Sequence, residues 1–355
     1  MSLLLSFAAT TGCSGHNADV YIAIQEQYTE RGWVVAQLWK NGIIKDLSER
    51  RLSNFVNSVF VVDEDVYVGG GTLSYKNIST RLNEYGQVPK QVATIWKNGI
   101  AQHLTDEEKP LGSEIHSLYI SGSDVYAAGI VYNSTKEFPI TVAAVWKNGV
   151  LTMLTKGTNH AIANSVFVSG NDVYVAGVER SKKRTWEAKL WKNGKEQTLL
   201  QGTLEANANS VFVSSGDVYV AGSDYATPDM YGTSWPVAKL WKNGVAQNLT
   251  DGTYQAIANS VFVSGNDVYV AGFGYRERNY GNPIAKLWKN GVEQNLSNGK
   301  YEAVARDVFV SGKDVYVVGW EYYEGGTIAK LWKNGVAQAL TDGSKNASAQ
   351  AVFVK

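Results

Sequence analysis

The chain is poor in the residues that most often carry chemistry. It has one cysteine and four histidines in 355 residues. A lone thiol, Cys13, excludes an intrachain disulfide. His16, His103, His116 and His160 stand at no metal-ligand spacing from a cysteine or carboxylate, so neither a metal nor another cofactor is expected. A nucleophile elbow, a phosphate-binding loop and an EF-hand are all missing. Gly69-Gly70-Gly71 follows an apolar run but lacks the lysine and helix of a phosphate loop. Charge of one sign is missing too, since 33 basic residues balance 33 acidic ones. No global field then draws the protein to nucleic acid or to an anionic membrane. Helix is disfavoured, because no window in the repeats returns its apolar residues with a 3.6-residue period.

What is present is repetition. Trp-Lys-Asn-Gly occurs seven times, from Trp39, Trp96, Trp146, Trp191, Trp241, Trp288 and Trp332, at intervals of 44 to 57 residues. Asp-Val-Tyr keeps step from Asp19, Asp65, Asp124, Asp172, Asp217, Asp267 and Asp314. Runs of the Ser-Val-Phe-Val type lie ahead of most of these, as at Ser58, Ser165, Ser210 and Ser260, with a final variant at Ala351. Such a period marks a repeat architecture. Within residues 259–299, Val261–Val263 reads as strand A, Val268–Ala271 as strand B, Ile284–Trp288 as strand C and Val292–Leu296 as strand D. Valine, phenylalanine, tyrosine and isoleucine suit a pleated surface, and Asn-Gly suits a type I′ hairpin. Strands A and B are almost continuously apolar, which implies burial on both faces.

These features predict an all-β chain: a seven-bladed β-propeller over residues 19–355, with four antiparallel strands per blade. Asp19 opens a strand B with no strand A before it, and Val352-Phe353-Val354 is a strand A with no strand B after it. The last strand is therefore expected to complete the first blade and close the ring. The repeated tryptophans are expected to pack between strands, and the repeated aspartates to hydrogen-bond their own turn.

The unit Ser-Val-Phe-Val-Ser-Gly-Asn-Asp-Val-Tyr-Val-Ala-Gly, with Ala-Lys-Leu-Trp-Lys-Asn-Gly after it, resembles the Trp-Lys-Asn-Gly repeat proteins of bacteria. That resemblance spans Asp19 to Lys355 and implies a propeller, a fold that hosts many functions. Residues 1–13, apolar and ending in small residues before Cys13, resemble a bacterial lipoprotein signal without its basic n-region. The resemblance implies export to the cell envelope and a lipid anchor on Cys13. The linker from Ser14 to Ala18 is short, which would turn the short-turn face of the propeller to the membrane.

Strand alternation puts the uniform A–B and C–D turns on one face and the variable B–C and D–A loops on the other. Variable loops on a rigid frame are where binding usually resides. Candidates there are Tyr75, Tyr225, Tyr231, Tyr275, Arg276, Arg278, Tyr280, Trp320, Tyr322 and Tyr323, with a basic run from Glu179 to Arg184. A second candidate is the residue just before each strand A: Asn57, His116, Asn164, Asn209, Asn259, Arg306 and Gln350. Pointing inward, these would form a polar collar at the channel entrance; the alternative is that the asparagines cap turns. Arg306 and Asp307 break the repeat, and as neighbours they also suit a surface ion pair. The composition fits a monomeric, non-enzymatic binding module for a protein or glycan. The alternative is a carbohydrate-active hydrolase or lyase using Glu277, Glu321 or Glu324 near the channel.

Overall fold

Every Trp-Lys-Asn-Gly reverses the chain through an asparagine with φ between 47° and 52° and a glycine with φ between 76° and 96°. These are the paired positive angles of a type I′ hairpin. The computed structural model describes residues 18–28, 32–48, 53–74, 90–105, 112–133, 140–199, 205–225, 235–276 and 281–355. Among them, twenty-eight strands form seven four-stranded antiparallel sheets, and there is no helix. Blade one combines the strands Val20–Tyr28, Trp33–Lys40 and Ile43–Asp46 with the C-terminal strand Asn346–Val354, which pairs with Val20–Tyr28. Blades two to seven each run A-B-C-D in chain order. The ring is closed as the sequence predicts. Cys13 and residues 1–17 as a whole lie outside the described residues.

The uniform face is held by one network, repeated seven times. In blade five, Asp217 accepts from Asn243 Nδ2 at 2.8 Å and pairs with Lys242 Nζ at 2.7 Å. Asn243 Oδ1 in turn accepts from the Val218 amide at 2.9 Å, and Lys242 stands 5.3 Å from the centre of the Tyr219 ring. The bonds from Lys242 and Asn243 hold the Asp217 carboxyl below its usual range. The repeated aspartate thus ties the start of strand B to the opposite C–D turn, rather than bonding its own turn as the sequence suggested. Asp-Val-Tyr and Trp-Lys-Asn-Gly keep step because they are two halves of one clamp.

The core is divided among the seven interfaces between blades. One joins Tyr174, Ala176, Ala188 and Leu190 of blade four to Ala206, Ala208, Val211 and Trp241 of blade five. Six of the repeated tryptophans are exposed by 1% or less, and Trp39 of blade one by 6%. Burying such a ring removes about 150–250 Å² from water, roughly 4–6 kcal/mol before entropy is counted. Only the outermost strand of each blade is exposed, and it is four residues long. Short edges limit pairing with other chains.

Strand A is longer than its apolar run suggests. In blade six it spans Ala256–Ser264, starting five residues before Val261. Its register with strand B shifts between Ala258 and Ser260, so Asn259 stands in a β-bulge. The same shift recurs in all seven blades. It also explains the glycine of Val-Tyr-Val-Ala-Gly. A Cβ on Gly222 would lie 1.9 Å from the Asn207 carbonyl oxygen and 3.0 Å from the Trp241 ring. Blade one departs, with the buried Ile24 at this register and the most exposed of the seven tryptophans.

Candidate functional site

The bulges set the chemistry of the channel. All seven predicted collar residues line one central cavity of about 400 Å³. They lie within strand A, at its bulge, and not ahead of it. The asparagines do not cap turns. Asn164 Nδ2 donates to the Ala208 carbonyl at 2.9 Å, Asn209 to Ala258 at 2.9 Å and Asn259 to Ala305 at 2.7 Å, each on the next blade. Asn57 donates likewise to the Ile115 carbonyl at 2.8 Å and to Glu114 Oε1 at 3.0 Å. His116 Nδ1 lies 3.0 Å from the Ala163 carbonyl, which can only accept, so Nδ1 carries the proton. Its Nε2 then faces Glu114 Oε2 at 3.8 Å. Burial raises the Glu114 pKa, but His116 and Asn57 outweigh it and hold the carboxyl below its usual range. Blade one fills its step with Gln25, whose Nε2 donates to the Val56 carbonyl at 2.7 Å, rather than with Gln350.

Three residues further along each inner strand, roughly 10 Å away, an aromatic ring closes around the axis. Phe60, Tyr119, Phe167, Phe212, Phe262, Phe309 and Phe353 meet in sequence with centroids 4.6–5.2 Å apart. Planes tilted by 47–60° suit the quadrupoles of neighbouring rings. The channel therefore has a polar level toward the variable loops and an apolar level toward the uniform turns. Arg306 and Asp307 do not form a surface ion pair. Asp307 is turned into the blade interface, where Ser260 Oγ donates to it at 2.6 Å, and the Val308 and Val352 amides each at 2.9 Å. Burial pushes its carboxyl up despite those donors.

On the variable face, the structure brings Tyr275 and Arg276 together in a cleft of about 420 Å³ over blade six. Tyr254, Gln255, Lys286, Glu293 and Asn295 share its walls. Gln255 holds the loops together, its carbonyl accepting from the Tyr275 amide at 2.9 Å. Lys286, buried, bonds Glu293 and reaches Asn295 at 3.0 Å. A second cleft of about 430 Å³ lies over blade four, where the basic run folds back on itself through Ser181 and Thr185. Tyr322 and Tyr323 are exposed, and Tyr323 meets Tyr301 edge-on at 5.2 Å. Trp320 is half-buried in its strand and Tyr225 ends a strand B. Tyr75, Tyr231, Arg278 and Tyr280 lie outside the described residues, as does Glu277.

No family model and no curated protein sequence matches the chain. Solved structures do. A puromycin-hydrolysing peptidase of Mycobacterium tuberculosis matches with TM-score 0.59 at 12% identity, over 91% of this chain and 51% of that one. An acylaminoacyl peptidase of Pyrococcus horikoshii matches with TM-score 0.53 at 14% identity, over 92% and 51%. The β-propeller domain of the Trilobed protease from Pyrococcus furiosus matches with TM-score 0.52 at 11% identity, over 92% and 93%. These likenesses show the fold alone. The chain spans about half the length of the first two peptidases. The Pyrococcus furiosus propeller is described as having an open velcro topology, whereas here Asn346–Val354 closes the ring.

Within this propeller, Glu321 is held by Lys330 at 2.8 Å and Glu324 sits in a tight turn at φ 45°; neither lines the central cavity. His103 and His160 bond Thr94 and Thr141, and Gly70 lies within a strand where a Cβ would meet the Phe55 carbonyl oxygen. Sequence reasoning missed Tyr254 and Gln255, because it scanned the B–C loops and gave the D–A loops no candidate. The signal was there: Tyr254 and Tyr301 stand at matching places in two successive repeats.

Proposed function

We propose that this propeller is a non-enzymatic binding module whose variable face takes a protein or glycan partner, with the blade-six cleft as its centre. The observation that carries the reading is the contrast between the two faces. On the uniform face, charge and amide groups satisfy one another identically in every blade. On the variable face, Tyr254, Tyr322 and Tyr323 are exposed, and the cleft sets Tyr254 and Tyr275 beside a carboxylate, amides and Arg276. Flat rings beside such groups suit the apolar faces and hydroxyls of a sugar, and tyrosine with arginine is also what protein interfaces favour.

A glycan array and a pull-down with the intact chain test this. Tyr275→Ala is expected to weaken a retained partner by roughly tenfold or more, in line with loss of an aromatic anchor. Undiminished capture by both Tyr275→Ala and Tyr254→Ala would move the site off this cleft.

Export and lipidation at Cys13 belong to the same proposal. Asp19, the first residue of the uniform-face network, exchanges backbone hydrogen bonds of 2.8 and 2.9 Å with Lys355, so the chain enters the propeller on that face. An anchor there leaves the variable face outward. Mass spectrometry of protein from its native membrane is expected to show residues 1–12 removed and Cys13 acylated; an unmodified Cys13 still joined to Gly12 refutes the anchor.

A further inference from the structure

One step of the ring of interblade hydrogen bonds is left open. Gln25 carries the step from blade one to blade two, and Asn57, His116, Asn164, Asn209 and Asn259 carry the next five. The step from blade seven back to blade one falls to Arg306, which stands at the seventh bulge position. Its guanidinium donates no hydrogen bond and forms no ion pair among the described residues. Arg306 lines the central cavity and is exposed to it.

Nothing in the described wall neutralises this charge. Asp307, its chain neighbour, is bonded into the blade interface by Ser260, Val308 and Val352. Glu114, on the far side of the ring, is engaged by Asn57 and His116. Arg306 is the only lysine or arginine among the cavity-lining residues. Arginine stays charged at any physiological pH, and its planar fork matches a two-oxygen anion. Asn164, Asn209 and Asn259 each use one Nδ2 hydrogen on the next blade, which leaves a second donor and the side-chain oxygen. Below them lies the aromatic ring.

We propose that the collar end of the channel binds a small molecule bearing an oxyanion, a carboxylate or phosphate group held by Arg306, with its apolar body resting on the aromatic ring. The cavity of about 400 Å³ is within the range of small-ligand sites. The site goes beyond the loop-face reading and shares none of the blade-six cleft residues used there, so either can fail without the other.

Isothermal titration of the whole chain with acetate, benzoate and inorganic phosphate tests it. Saturable one-to-one binding is expected for at least one of the two oxyanion classes, and the pair of classes tells carboxylate from phosphate. With carboxylates, benzoate is expected to bind tighter than acetate. Arg306→Asn is expected to weaken binding by roughly tenfold to a hundredfold, the range for losing a charge-assisted hydrogen bond. The variant carries the residue that stands at Asn57, Asn164, Asn209 and Asn259, so its thermal midpoint should match the parent's. Should that variant fold poorly, Phe309→Leu supplies a second reading, a smaller preference for benzoate over acetate with acetate affinity kept. No saturable binding of either class, equal affinity in a folded Arg306→Asn, or an unchanged benzoate preference in Phe309→Leu overturns the proposal.

Discussion

Deleting Val352, Phe353 and Val354 is expected to destabilise the ring by roughly 5–8 kcal/mol, from lost apolar burial and broken ladder bonds. Val352 and Val354 are almost fully buried in the core shared by blades seven and one. Phe353 contacts both Phe60 and Phe309, so its loss opens the aromatic ring. The Val352 amide also leaves Asp307, stranding a buried carboxylate oxygen. A loss of that size rivals the whole stability of many domains, about 5–15 kcal/mol. Calorimetry and urea titration of the truncated chain measure it. An unchanged midpoint would contradict closure by the C-terminal strand.

Trp241→Ala comes next in size, at about 3–5 kcal/mol for a fully buried aromatic ring removed to leave a cavity. The indole N–H of Trp241 has no hydrogen-bond partner among the described residues. The ring is therefore held for its volume and not for its polar atom. Trp241→Phe should accordingly cost well under half as much as Trp241→Ala. Trp39→Ala should cost less than Trp241→Ala, since Trp39 retains some exposure. Equal losses for the alanine and phenylalanine variants in urea titrations would count against the packing account. Neither Trp241 variant is expected to alter partner capture at temperatures where it stays folded.

Blade number, strand order and closure were legible because each rests on a local pattern repeated seven times. The Asn-Gly pairs mark hairpins, and the intervals mark blades. Two things were not legible, for the same reason. The bulges depend on the register between strands A and B, and Ala256-Ile257-Ala258-Asn259 carries no local sign of strand. The targets of the collar asparagines lie on other blades, 44 to 58 residues away in sequence. Asp307 was singled out as a departure from the repeat, and it is one, but a structural one. It accepts from Ser260 toward blade six and from Val352 toward blade one, serving two interfaces where Ser117, Ser165 and Ser210 each serve one. Arg306, another departure from the repeat, makes no hydrogen bond or ion pair among the described residues.

The bulge-level donors all point the same way around the axis, each from one blade to the next. Blades two to six thus each offer a donor on the leading side and a carbonyl on the trailing side, like links of one pattern in a bracelet. A blade copied within the gene would arrive with both connectors matched to its new neighbours. Such a scaffold can lengthen, shorten or trade segments while its outer loops drift, and the seam between blades seven and one is where that interchangeability stops.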